Sequence, residues 1–366
     1  AAAALQMGLV NYNLSEYQNA LKYYKQVAEN YGGTQEAQAA LMGIKNCYVE
    51  MNNVDAYFAY ANTLGSGSVV TTSEQDSLTY YSAEKQFMAN DPNAIAQLER
   101  YLKQFPDGSF VLNAHFYLGE ALYAKERYTE SLDHYLYVTR QPLSAFSEQA
   151  LARASEMLFN AGKLTEALEL FDRLETVSNN PWNKVRALAG KMRCNFRMEK
   201  FRNAIDDAAK LTKAEKVTPE LTREASYVSA KSYYMLGNYD QALPGLQEAS
   251  AETNTAGGAE AKYLLADVYF KKQNLAASEK EIMDFINKGT SHQFWLAKSF
   301  ILLSDIYVAR KDDFQAKHTL KSLLENYPVK DDGIIAETQR KLNEVEAREK
   351  KETEPAQANP MQIKIN

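Results

Sequence analysis

Residues 105–135 read FPDGSFVLNAHFYLGEALYAKERYTESLDHY. A weaker version of the same sentence occupies 29–53, ENYGGTQEAQAALMGIKNCYVEMNN, and a third starts at 325 with ENYPVKDDGIIAETQRKLNEV. The opening of the chain shows the internal pattern: LQMGLVNY around Gly8, then Tyr17, Ala20, Tyr24 and Val27, then a break at Gly32-Gly33. Taking Ala20 as a landmark, its counterparts are Asp55, Ala94, Ser131, Ala167, Ala204, Ala242, Ser278 and Ala316, separated by 35, 39, 37, 36, 37, 38, 36 and 38 residues. Twelve residues before these stand Gly8, Gly43, Ser82, Gly119, Ser155, Met192, Ala230, Ala266 and Ser304, all small except Met192. Small residues at two such points let antiparallel helices approach closely while bulky neighbours interlock. The expected fold is all-α: a right-handed solenoid superhelix of about nine helix-turn-helix units, each burying its apolar stripe on the next.

These units resemble tetratricopeptide repeats, with a period near 37 instead of about 34. The extra residues fall in the links YGGTQEA, FPDGSFV, RQPLSAFSEQA and NYPVKDDG. Links of that style resemble those of Gram-negative envelope repeat proteins, of the Tol-Pal-associated division coordinator and outer-membrane assembly lipoprotein type. That resemblance implies a periplasmic or outer-membrane-associated setting, with the cytoplasm as the alternative. The repeat resemblance covers residues 1–328. It implies a non-enzymatic scaffold that binds protein or peptide partners.

The rest of the chain frames the array. LGSGSVVTTSEQDS, residues 64–77, has no helical period and reads as a long link or hinge. Pro244-Gly245 falls inside a second helix, which should bend or start late. Residues 329–350 read as a polar cap helix and 351–366, rich in polar residues and Pro, as a disordered tail. No similar cap stands at the N-terminus, which leads to the expectation that further repeats precede Ala1.

Composition excludes several functions. A net charge of −6 argues against a nucleic-acid or membrane-surface binder. No apolar run reaches the roughly 18–20 residues of a bilayer span. Cys47 and Cys194 are read as small buried thiols ahead of a disulfide. The twenty-four tyrosines suit a surface where a ring packs and its hydroxyl reaches water. His115, His134, His292 and His318 show no metal-ligand spacing with one another, with Cys or with carboxylates, and neither HExxH nor CxxC occurs. Phosphate-binding glycine loops and a nucleophile elbow are also missing. The reading is therefore no enzyme, no cofactor and no metal.

Recognition is expected on the first helices. Counting the small landmark as position 8, positions 2, 5, 9, 12 and 13 share one face. Position 9 reads Leu9, Ile44, Ala83, Glu120, Glu156, Arg193, Lys231, Asp267 and Asp305, and position 12 reads Tyr12, Cys47, Gln86, Tyr123, Phe159, Phe196, Tyr234, Phe270 and Val308. Units four to nine would thus carry a charged column beside an aromatic one. The candidate partner groove comprises Glu120, Tyr123, Glu156, Phe159, Arg193, Phe196, Arg197, Tyr227, Lys231, Tyr234, Tyr263, Asp267 and Phe270. A competing reading pairs Glu156 and Asp267 with Arg193 and Lys231 as an inter-repeat ladder, exposed pairs of that kind contributing about 0–1 kcal/mol. Tetratricopeptide domains that grip chaperone C-termini use a Lys and Asn clamp at positions 5 and 9. Leu5 and Leu9, then Ala40 and Ile44, stand there in the opening units, and Phe116/Glu120 and Tyr227/Lys231 in later ones, which argues against a chaperone-tail adaptor. Two other readings stay open: self-association through the apolar first three units, and sugar stacking on the aromatic column.

Overall fold

The computed structural model describes residues 1–64 and 70–353, with side chains as far as 350. Among the described residues it is all helix, arranged as nine consecutive hairpins and a last single helix. The first five hairpins pair α1 (Ala2–Asn13) with α2 (Tyr17–Asn30), α3 (Gln35–Glu50) with α4 (Val54–Thr63), α5 (Thr72–Met88) with α6 (Ala94–Gln104), α7 (Val111–Ala124) with α8 (Tyr128–Arg140), and α9 (Ser147–Asn160) with α10 (Leu164–Val177). The other four pair α11 (Pro181–Arg197) with α12 (Phe201–Leu211), α13 (Pro219–Met235) with α14 (Tyr239–Ala249), α15 (Ala256–Lys271) with α16 (Leu275–Lys288), and α17 (Gln293–Ala309) with α18 (Asp313–Asn326). The final helix is α19 (Ile334–Thr353).

Each hairpin turns the same way. Ser15, Asn52, Asn90, Glu126, Gly162, Glu199, Gly237, Gln273 and Lys311 all have positive φ, one in each intra-repeat turn. In each turn the next N–H donates to the carbonyl five residues back, as in Arg127 N to Leu122 O at 3.0 Å and Lys200 N to Asn195 O at 2.8 Å. This is the bond that closes a helix C-terminus around a left-handed residue. Seven of the nine positions carry a side chain despite the local cost, so composition gives no sign of this regularity. Caps fix the helix starts: Thr34, Thr71, Thr218 and Thr255 each accept a backbone N–H in the first turn of a first helix.

The backbone landmark corrects the register of the second repeat. Five residues after the turn residue come Ala20, Ser131, Ala167, Ala204, Ala242, Ser278 and Ala316, all buried. In the second repeat the same count reaches the buried Tyr57, while in the third the landmark Ala94, one residue earlier, is the buried one. Asp55 lies on the exposed side, paired with Arg100. The twelve-residue spacing has a direct cause in two repeats: Ser131 Oγ donates to Gly119 O at 2.8 Å and Ser278 Oγ to Ala266 O at 2.7 Å.

The chain divides into two compact bodies, Ala1–Val177 and Ser178 onward, so repeats one to five belong to the first and six to nine with α19 to the second. Each contains its own packed apolar clusters. The tyrosines are core residues to a greater extent than their composition suggests. Tyr80, Tyr101 and Tyr135 are among the largest fully buried side chains, and each hydroxyl reaches a carboxylate: Glu84 at 2.7 Å, Asp76 at 2.6 Å and Glu120 at 2.5 Å. Cys47 and Cys194 are buried free thiols, each pushed up to about 11 by burial.

Several sequence expectations shift. The irregular stretch 64–77 ends at Thr71, which caps α5 through the Glu74 N–H; residues 65–69 lie outside the described ones. Asp76, within that stretch, is buried and takes hydrogen bonds from Tyr101 Oη at 2.6 Å and Ser109 N at 2.8 Å. It thereby anchors the FPDGSF link, and Gly108 is needed because a Cβ there would stand 2.6 Å from its carboxylate. Helix α14 starts on time and runs through Pro244. Helix α19 begins at Ile334, and the helix extends to Thr353, beyond the expected start of the tail at 351; residues 354–366 lie outside the described ones. This helix is more than a polar cap. Ile334, Thr338, Leu342 and Val345 are buried, and Lys298, Asp305 and Lys317 pair with Glu337, Lys341 and Glu349 on it.

Candidate protein-binding face

First helices contact first helices of the next repeat: α1 with α3 and α5 with α7 in the N-terminal body, and α11 with α13, α13 with α15 and α15 with α17 in the C-terminal body. Their shared face carries the predicted columns. In the C-terminal body the charges there are mutually engaged. Arg193 makes two bonds of 2.6 Å to Glu224. Lys231 reaches Glu260 at 2.8 Å. Asp267 takes Lys271 at 2.7 Å and the Tyr234 hydroxyl at 2.5 Å. Lys231 therefore pairs with Glu260, not Asp267. The pairing rule is position 9 of one repeat to position 2 of the next, where Glu224 and Glu260 stand. Position 2 was legible on the same helical face, but only columns 9 and 12 point to it indirectly.

The aromatic column interleaves with these ions. Lys231 Nζ lies 5.4 Å from the Phe196 ring centre and 5.9 Å from that of Tyr227. Lys271 lies 4.6 Å from the Tyr234 ring centre. Tyr263 stacks on Trp295 with centroids 5.6 Å apart. Phe196, Tyr227, Tyr234, Tyr263 and Phe270 are all half-buried, leaving part of each ring to solvent. Burial, and then hydrogen bonds to Glu260 and Asp267, push the Tyr227 and Tyr234 phenols well up, so they stay neutral donors. Arg197 is exposed at the end of α11.

In the N-terminal body, Glu120 on α7 accepts from the buried Tyr135 and lies 3.8 Å from Arg153 on α9. Arg153, which the sequence reading passed over, caps the Tyr123 ring at 4.2 Å. Glu156 and Phe159 sit half-buried on α9. In the first three repeats the apolar column is mostly core: Ile44, Cys47 and Ala83 are buried, and so is Gln86. Leu9 is the exception, 45% exposed beside Met7 and Val10 on α1 and Leu14 at its C-cap.

One contact between histidines was not legible in their spacing. His115 on α7 and His134 on α8 meet with Nδ1 atoms 2.8 Å apart, and Tyr137 stacks on His115 at 3.8 Å. Nineteen residues separate them in sequence, and the hairpin closes that distance. Among the described residues no third ligand joins them into a metal group. Burial, and then the charge of His134, push His115 down to about 4, while burial lowers His134 against the opposing pull of Asp133, Glu99 and Glu130. The unfolded chain binds these protons near pH 6.5 and the folded chain does not, so stability is complete above 6.5 and falls as pH drops toward 4. The expected loss by pH 5 is about 1–2 kcal/mol, less than a fully buried pair would give. Urea unfolding at pH 7.5 and 5 checks it, and His115→Gln should reduce the pH dependence.

The tetratricopeptide family model matches residues 2–34 and 293–328 in one form and 92–145 and 227–284 in another. The first two segments coincide with the α1–α2 and α17–α18 hairpins; the third contains the α7–α8 hairpin, and the fourth runs from within α13 to within α16. The chain is a tetratricopeptide-repeat protein. Such repeats generally mediate protein–protein interaction and scaffolding, and are typically non-catalytic. A search of curated proteins gives no match. Among solved structures, a tetratricopeptide repeat protein from Parabacteroides merdae is 15% identical, with a TM-score of 0.39, over 72% of this chain and 98% of that one. A signal-transduction ATPase with a tetratricopeptide repeat sensor from Pyrococcus horikoshii is 16% identical, with a TM-score of 0.48, over 87% of this chain and 51% of that one. Among the described residues of this tetratricopeptide-repeat protein no helix is long and apolar enough to cross a membrane.

Proposed function

We propose that the protein is a non-enzymatic scaffold that binds protein or peptide partners on its first-helix face. The observation that carries this is the division of labour in the C-terminal body. Arg193, Lys231 and Asp267 hold neighbouring side chains, while Tyr227, Tyr234, Tyr263 and Phe270 offer partly open rings between them. Rings held rigid by ion pairs supply contact area at low entropic cost, while the ion pairs hold adjacent repeats in register. The style of the links supports the Gram-negative envelope as the setting, in the periplasm or at the outer membrane, with the cytoplasm as alternative; a full-length gene lacking an export signal would refute it.

The test is affinity capture from the native host's lysate, comparing wild type with Tyr234→Ala/Phe270→Ala after matching their helical circular dichroism. A specific protein retained by wild type should weaken at least about tenfold on the variant. Equal capture overturns the assignment of the face, and loss of binding to purified cell wall in place of a protein would identify a sugar ligand. A second reading rests on α1 and its C-cap, where Met7, Leu9, Val10 and Leu14 are 45%, 45%, 51% and 64% exposed. It is self-association, and a mass that rises with concentration and reverts on Leu9→Glu would establish it.

A further inference from the structure

A cleft of about 390 Å³ opens between α13, α14 and the first turn of α15. Tyr227 forms one wall, and Gly245, Gly257 and Gly258 bring backbone to its surface. Two of these glycines are required by packing. A Cβ on Gly258 would fall 2.1 Å from Glu252 O, and one on Gly245 would fall 2.7 Å from Ala230 Cβ. Gly257 is different: a Cβ there would meet nothing nearer than Tyr227, at an ordinary 3.7 Å. A glycine in a helix weakens it relative to alanine, and here packing gives no reason for one. What the missing side chain does is keep the cleft open beside the tyrosine ring.

The charges around the cleft are unequal. Arg223 pairs with Glu220, and Glu224 is held by Arg193. Glu248 takes a hydrogen bond from Ser226 Oγ at 3.0 Å, and neither it nor Glu252 has a cationic partner among the described residues. Two uncompensated carboxylates thus stand at the mouth of a cleft with an aromatic wall. Arginine fits both parts: its stem and planar guanidinium lie along a ring, and its fork of donors meets carboxylates.

We propose that this cleft binds an arginine side chain presented by a partner protein. The inference rests on the protein-binding reading but fails separately from it, because it is tested on the cleft's own amides. The full chain, labelled with 15N, is titrated with acetyl-Gly-Arg-Gly-amide and with the Glu counterpart. Saturable shifts of the Gly257 and Gly258 amides with the Arg peptide alone, weakened by added salt, are expected. Glu248→Gln/Glu252→Gln and Gly257→Leu should each weaken binding at least tenfold. A Cβ at 257 meets only ordinary contact and leucine is the better helix former, so the melting temperature of Gly257→Leu should match or exceed that of wild type. The proposal is overturned if the Arg peptide leaves these amides unmoved at millimolar concentration, if the Glu peptide binds as well, or if a folded Gly257→Leu binds like wild type.

Discussion

Gly43→Ala, a change that raises helix propensity, is expected to destabilise the N-terminal body by about 1–3 kcal/mol. The Tyr24 ring is buried between two first helices. A Cβ on Gly43 would stand 2.6 Å from it on one side, and a Cβ on Gly8 2.5 Å on the other. The ring belongs to a core cluster with Val27, Ile44, Cys47 and Tyr57, so it can move only by displacing well-packed neighbours. The helix gains about 1 kcal/mol from alanine, and the clash exceeds that gain. The mechanism is checked by a double-mutant cycle in urea. In a Tyr24→Leu background the clash is gone, and Gly43→Ala should become neutral or stabilising. An unchanged cost in both backgrounds would show that the glycine matters for some reason other than Tyr24.

The second large effect concerns a buried ammonium. Lys262 on α15 has 4% of its side chain exposed and lies 2.5 Å from both Glu281 and Asp284 on α16. Removing both carboxylates, Glu281→Gln/Asp284→Asn, leaves the charge buried and unpaired and should cost about 3 kcal/mol or more. Lys262→Met removes the charge itself, keeps most of the volume, and should cost about 1 kcal/mol or less, because partly exposed carboxylates return to water. The asymmetry is the prediction, measured as urea midpoints of the C-terminal body. Equal losses would show that packing, not charge, fixes this helix pair.

Much of this architecture was legible. Nine landmarks at a period near 37 gave nine hairpins, because a hairpin core needs small residues where two helices touch. The landmark failed at Asp55, where the second repeat buries Val54 and Tyr57 instead. The left-handed turns were illegible, since Ser, Asn, Glu, Gln and Lys fill positions where glycine would have announced them. The site was legible as columns but not as pairs. Helical spacing places Lys231 and Tyr234 on one face; only the stacking of adjacent repeats brings Glu260 to them. His115 and His134 show the same limit, since their contact depends on how α7 and α8 rotate against each other. Asp76 escaped for a further reason: its stretch lacks a helical period, yet Tyr101 and Ser109 supply the partners that let a carboxylate be buried.

The central claim is that aromatic rings on the first-helix face bind the partner while the charges beside them hold the repeats together. The most direct test compares capture of the native partner by wild type, by Tyr234→Ala/Phe270→Ala and by the exchanged pair Lys231→Glu/Glu260→Lys, all with matched helical circular dichroism. The account predicts that the aromatic variant loses the partner and that the exchanged pair, which restores the 2.8 Å bridge in reverse, retains most of it. Loss of the partner on exchange, with full retention by the aromatic variant, would contradict the account and make the charges the recognition code.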